Sequence, residues 1–350
     1  MMKKHLLTLA LAATLGTAQI STAQAAEYKY VLLHGFQPSQ LQSRPDAAAV
    51  TANGEKYWQE FWLQHASARI DWPSHERIEG KIATHYLWPK LQQMSRDNLC
   101  QSGCVLVTHS TGDLVARYLL ENQANWLRNA GLQPLNIIAT FDFAGAGGGS
   151  ELADVALNVA DGKAGTLAKK AVQAWLGFEP TRANVGVLND LSVNTARALV
   201  SAPQNRVPRV RFVGGGTDFY WVTDTFLPGQ DDGVVASHSS CGAARAGAFV
   251  SCSNQVDLDG KVGASSDAVT SFLPNHVPLL MALGYSHSAL VGNKTNGKYT
   301  TASNNVSFGP GRLSIASKDE KAKWPFSGTY RYVVDSASTP VSALVQKKAL

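Results

Sequence analysis

The run Val105-Leu106-Val107-Thr108-His109-Ser110-Thr111-Gly112 holds the densest chemistry in this sequence. An apolar strand leads into a serine, and an apolar-periodic helix from Gly112 to about Glu121 leads away from it. A sharp strand-to-helix turn of this kind lifts a serine hydroxyl above a sheet, at a helix N-terminus. A base can reach the hydroxyl there, and the Thr111 N–H faces the oxyanion that forms when it attacks a carbonyl. The turn needs small neighbours. Gly112 meets that need, whereas Thr108 is larger than the glycine usual at the first site. A serine that only caps a helix needs neither the strand before it nor the glycine after it. A second turn, His34-Gly35-Phe36, ends the apolar run Tyr28–Leu33. Gly35 lets the backbone come close, which makes the Phe36 N–H the second oxyanion donor.

A serine hydroxyl is a poor nucleophile until a histidine takes its proton, and a carboxylate must fix that histidine's tautomer. Asp232, Asp231 and Asp218 are the carboxylates in range along the chain, and His238, His276 and His287 the histidines that follow. His34 comes too early for the order Ser, Asp, His and reads as structural. His287 follows the apolar run Val277–Leu283 and a glycine, the form of a last strand delivering its base, and is preferred. His276, in Pro274-Asn275-His276, is the alternative base, and His238 sits on the loop of Asp232.

The elements that must position these groups are legible as an alternation. Strands are expected at 28–33, 104–108, 136–143 and 207–213, several running into glycines. Helices are expected at 54–66, at 77–96 with Pro89 interrupting, at 112–121, and through the Ala-rich stretch 151–200. This pattern predicts an α/β fold, a mostly parallel central sheet with helices on both faces and chemistry at the strands' carboxyl ends. Tyr57, Trp58, Phe61 and Trp62 make one aromatic face of the 54–66 helix and read as core. Residues 151–200 fit either lid helices over the site or ordinary helices on the sheet. From 291 to 350 the sequence turns polar, with short strand-like runs, and reads as an appended β-rich extension.

Composition narrows the class. The 350 residues are 45% apolar and 16% charged, so a large core can form and disorder is excluded. Met-Met-Lys-Lys, an apolar run from Leu6 to about Ala18, and Ala23-Gln24-Ala25 form a cleavable export signal over 1–25. Its removal takes Lys3 and Lys4, so the charge of +5 falls to +3, too dilute to indicate nucleic acid. The product is expected to be secreted or periplasmic, and a monomer. In an oxidising compartment the local pairs Cys100–Cys104 and Cys241–Cys252 are expected to close. Cysteine spacing gives no zinc site, and the runs Gly145–Gly149 and Gly214–Gly216 lack the full dinucleotide pattern.

Four stretches together resemble the secreted bacterial lipases and esterases of the α/β-hydrolase fold. They are His34-Gly35-Phe36, His109-Ser110-Thr111-Gly112-Asp113, Ala144 to Asp154, and Asp232-Gly233-Val234-Val235. The resemblance spans 28–290 and implies a catalytic domain over 26–290 with a lid insertion at 151–200. It implies Ser110 as nucleophile, Asp232 as acid, and Phe36 and Thr111 at the oxyanion. It also implies a triacylglycerol-lipase-like activity on lipid or other esters with transient contact at a lipid surface. Polyester depolymerase, phospholipase and acyltransferase chemistry use the same residues. A non-catalytic binding protein on this fold is the reading from a different class. No cofactor is required. Some such lipases hold a structural calcium, for which Asp257, Asp259 and Asp267 are available without a secure ligand pattern.

Overall fold

The computed structural model describes residues 28–199, 206–219, 222–263, 265–322 and 328–349. The expected export signal at 1–25 lies outside the described residues. The main sheet has seven strands: β1 (Lys29–Leu33), β2 (Ala68–Arg69), β3 (Cys104–His109), β4 (Ile137–Phe143), β5 (Arg209–Gly214), β6 (His276–Ala282) and β7 (Thr300–Thr301). Their order is β2-β1-β3-β4-β5-β6-β7. Every neighbouring pair is parallel except β6–β7.

Parallel strands are buried on both faces, which is why these runs are apolar throughout rather than alternating. Val31, Leu33 and Leu106 face one side. That side is covered by the helices Trp88–Arg96, Gly112–Asn129, Glu151–Ala160 and Thr166–Leu176. Leu32, Val105, Val107, Phe141, Phe143, Val210 and Phe212 face the other side. Trp58, Trp62, Tyr299, Phe308, Leu313, Val341, Leu344 and Val345 cover it. Beyond residue 291 the described residues hold two antiparallel strand pairs, Asn305–Phe308 with Gly311–Ser314 and Ser317–Lys321 with Thr329–Val333. They are not a separate appendage, however. They supply β7 and most of the second face's cover, so position 290 divides no core from another.

One helical expectation changes and one holds. The aromatic segment is a helix over Ala47–Trp58 followed by a separate tight turn at Trp62–His65, so its four aromatics do not share one helix face. The break expected at Pro89 is present: a π-helix over Ile78–Leu87 gives way directly to the α-helix Trp88–Arg96, with Pro89 in the first turn of the second. Both expected disulfides are present, Cys100–Cys104 just before β3 and Cys241–Cys252 in a small third cluster. Among the described residues no helix is long and apolar enough to cross a membrane. The sheet order, with a turn after β3 bearing Ser110 and later turns bearing Asp232 and His287, is the α/β-hydrolase architecture.

Candidate active site

Ser110 sits between β3 and the helix Gly112–Asn129 with φ at +57°, a left-handed conformation that strains a residue with a side chain. The surroundings fix it there. Ser110 N–H donates to the Phe143 carbonyl at 3.0 Å, and the Ser110 carbonyl accepts from Ala146 N–H at 2.9 Å. A Cβ on Gly112 would lie 2.3 Å from the Leu33 carbonyl oxygen, so the turn closes only with glycine there. Thr108 departs from the small-residue expectation for a reason now visible. Its hydroxyl points into the core and donates to Asp142 Oδ1 at 2.7 Å.

The turn after β1 packs against this one. A Cβ on Gly35 would fall 2.7 Å from Ser110 Cβ and 2.4 Å from the Tyr57 hydroxyl. Among the described residues, the Phe36 and Thr111 N–H groups donate to no protein acceptor. Two free donors, one beside the serine and one on the abutting turn, suit an oxyanion. His34 is structural: it stacks on Trp72 at 4.9 Å, and its Nε2 accepts from Trp72 N–H at 3.1 Å.

Asp232 is wholly buried. Its Oδ2 accepts from His287 Nδ1–H at 2.9 Å, while Oδ1 accepts from Val234 N–H at 3.1 Å and Val235 N–H at 2.8 Å. His287 N–H also donates to the Asp232 carbonyl at 2.9 Å, so ring and backbone are both tied to this one residue. With Nδ1 occupied, Nε2 is the nitrogen left for chemistry. His287 and Ser110 line the same cleft of about 600 Å³, with no direct hydrogen bond between them among the described residues. Such bonds commonly tighten only once substrate is bound.

The alternatives are placed elsewhere. His276 opens β6 and therefore lies at the amino end of the strand, whereas Ser110 stands at the carboxyl ends. Its Nδ1–H donates to the Pro274 carbonyl at 3.0 Å. His238 is buried between Glu151 Oε1 at 2.7 Å and the Arg197 guanidinium at 2.9 Å. Asp218 accepts from Ser286 Oγ at 2.5 Å and Ser288 N–H at 3.2 Å, bracketing His287 in sequence without touching its ring. Asp231 accepts from Gly233 N–H at 2.7 Å. The structure thus gathers Ser110, His287, Asp232, Phe36 and Thr111, and leaves out His276, His238, Asp218 and Asp231.

Asp231 has a different consequence. Burial first, then the nearby Asp224, Asp232 and Glu151 carboxylates, raise its carboxyl to about 7 against the pull of the Gly233 N–H. The folded chain therefore holds a proton that the unfolded chain gives up near the ordinary carboxylate value. The stability from this group is full below pH ~4 and is lost as pH rises through about 7. Asp231→Asn is expected to raise Tm at pH 8 and to leave it unchanged at pH 4. The gain is on the order of 1–2 kcal/mol, allowing for partial screening. Thermal melts at the two pH values test this, and an equal gain at both would refute the assignment.

Two arrangements escaped sequence reasoning. Tyr57, half-buried, and His109, buried, form a hydrogen-bonded pair beside the serine. Beneath the turn, Arg209 and Arg211 on β5 meet Asp113 and Asp142, all four with essentially no exposure. Two arginines alternating inside a buried strand were the available signal, since buried guanidinium groups require partners. Asp257, Asp259 and Asp267 line one surface hollow. Among the described residues no group of three or more His, Cys, Asp or Glu is placed to hold a metal ion.

No family model matches the sequence. No curated protein matches it either. Solved structures give low-similarity matches. The mature form of Bacillus licheniformis lipase BlEst2 aligns at a TM-score of 0.44 and 15% identity, over 77% of this chain and 88% of that one. Staphylococcus hyicus lipase aligns at 0.42 and 13%, over 75% and 88%. Lipase 1 from Pelosinus fermentans aligns at 0.41 and 14%, over 77% and 94%. These likenesses are too slight to carry weight, and the α/β-hydrolase architecture rests on the chain's own strand order and turns.

Proposed function

We propose that this chain is a secreted serine carboxylester hydrolase acting on lipid esters. Ser110 Oγ attacks the ester carbonyl while His287 Nε2 takes its proton. Asp232 holds Nδ1–H and stabilises the imidazolium that results. The Phe36 and Thr111 N–H groups receive the oxyanion. Collapse expels the alcohol, which His287 protonates, and leaves an acyl-serine. Water, deprotonated by the same histidine, then releases the acid and restores Ser110.

The observation that carries this reading is the 2.9 Å bond from His287 to buried Asp232, in a cleft shared with a serine at φ +57°. The cleft supports the substrate class. Phe36, Trp175, Leu191, Val234 and Val235 make an apolar wall suited to an acyl chain. Gln59, Glu60, Ser286 and Asn296 also line the cleft and offer polar contacts to the alcohol. Trp175 belongs to the helix Thr166–Leu176, which favours reading part of 151–200 as a lid over the acyl side. The export signal at 1–25 and two disulfides fit secretion and a monomer that meets lipid surfaces transiently.

Fluorophosphonate labelling tests the chemistry. The adduct is expected on Ser110 alone, located by peptide mass spectrometry. Folded protein that takes no label would sink the enzyme reading and favour a binding protein. A panel of p-nitrophenyl esters, triolein, phosphatidylcholine and polyhydroxybutyrate then separates lipase, phospholipase and depolymerase. Acyl transfer to an added alcohol in preference to water would mark an acyltransferase.

A further inference from the structure

We propose that Tyr57 and His109 are positioning residues that lock the backbone of His287 opposite Ser110. The proposal rests on His287 being the base. His109 Nε2 stands 2.8 Å from the His287 carbonyl oxygen, which can only accept, so Nε2 carries the hydrogen. In a neutral ring Nδ1 is then the acceptor, and it takes the Tyr57 O–H. Burial first, and the neighbouring His287 second, hold His109 well below the ordinary imidazole value, so the ring stays neutral. Burial raises the Tyr57 phenol, which keeps its proton for donation.

The chain of bonds therefore has one direction, from Tyr57 O–H to His109 to the His287 carbonyl. It reaches the base at an atom that Asp232 does not touch. Asp232 fixes the His287 ring and N–H, and His109 fixes its carbonyl. His109 precedes Ser110 in sequence, so the nucleophile's own neighbour sets the base's distance from it. The His109 and His287 rings lie 4.7 Å apart between centroids. A charged His109 would oppose the imidazolium that His287 must become, and the Tyr57 bond selects against that state. Tyr57 also touches the oxyanion turn at Gly35, so one hydroxyl links all three parts of the site.

The test compares Tyr57→Phe, His109→Gln and His109→Leu with wild type and His287→Ala, measuring kcat and KM on a soluble p-nitrophenyl ester. Tyr57→Phe keeps the ring contacts with His34 and His109 and removes only the O–H. It is expected to lower kcat roughly 10- to 100-fold, the scale of misplacing a reacting group by an ångström, with KM within about twofold. His109→Gln retains an N–H donor at the Nε2 position and is expected to recover most of the kcat that His109→Leu loses. Equal loss in the glutamine and leucine variants would mean that His109 only fills space, and would overturn the proposal. So would Tyr57→Phe within twofold of wild type in kcat, which decides the matter if His109→Leu does not fold. Inactive wild type would instead overturn the ester-hydrolase reading beneath it, and active His287→Ala the assignment of the base on which the proposal rests.

Discussion

Ser110→Ala and His287→Ala are each expected to lower kcat for ester hydrolysis by roughly 10⁶, with the double variant falling no further. In the proposed mechanism the two side chains act in one step, since the hydroxyl is useless without its base and the base has nothing else to activate. Removing either removes the whole contribution. Asp232→Asn is expected to lower kcat by about 10⁴, because an amide presents an N–H to Nδ1 and turns the imidazole to the wrong tautomer. His276→Ala is expected to stay within a few-fold of wild type, since its ring bonds to Pro274 at the other end of the strand. Each variant should remain folded. An alanine in place of Ser110 would meet the same backbone strain as the serine, and His287 is held at the cleft wall rather than in the core. Single-turnover kinetics on an activated ester, with circular dichroism to check the fold, measure all of these. Loss of activity in His276→Ala with retention in His287→Ala would reverse the assignment of the base.

The choice between these histidines shows how far the sequence reaches. The turn around Ser110 is legible because its requirements are local: an apolar run, a small residue at position 112, a helical period after it. The base is less legible, because both His276 and His287 follow Asp232 and chain order admits either. What decides is strand polarity. The run 277–283 is readable as a strand, and in a parallel sheet only a residue beyond its carboxyl end reaches the serine. His276 stands at the amino end, so direction rather than residue type favours His287 in the proposed mechanism.

Long-range pairing accounts for most of what periodicity missed. Tyr57 looks like one member of an aromatic face, yet the helix ends at Trp58 and the hydroxyl finds a histidine 52 positions away. No window of ten or twenty residues contains that contact. The C-terminal 60 residues mislead by composition. Polar residues dominate them, while Val306, Phe308, Leu313, Val341, Leu344 and Val345 sit at the spacings of short strands and one helix and close the sheet's second face. Thr108 is a subtler case. As a deviation from glycine it reads as a weakness of the turn, whereas its hydroxyl is the first link from the turn to the buried charges below.

Those charges yield the largest expected effect on stability. Arg211→Met is expected to cost about 3–5 kcal/mol, read as a lower urea midpoint at unchanged slope. The Arg211 guanidinium meets Asp113 Oδ2 at 2.8 Å and Asp142 Oδ2 at 3.2 Å. It also donates to the carbonyls of Gly145 at 3.0 Å, Ser239 at 2.9 Å and Ser240 at 2.9 Å. Burial alone would push the Asp113 carboxyl up, but Arg211, Arg209 and Arg117 outweigh it and hold it below the usual carboxylate range. Methionine fills comparable space, so the loss would be electrostatic: the buried carboxylates lose the arginine that touches both through one nitrogen, and three carbonyls lose their donor. A double variant separates charge from packing. Arg211→Met with Asp113→Leu removes one buried charge of each sign, and is expected to recover part of the loss. If the double variant is instead less stable than Arg211→Met alone, the arginine matters as a packing strut and not as a counter-ion. The single variant should also slow catalysis. Asp113 opens the helix after Ser110 and accepts the Gly147 N–H at 2.7 Å, and Asp142 accepts the Thr108 hydroxyl, so both flanks of the strained turn stand on this network. A drop in kcat beyond the fraction unfolded, at a temperature where the variant is still native, is the expected sign that buried charge holds Ser110 in place.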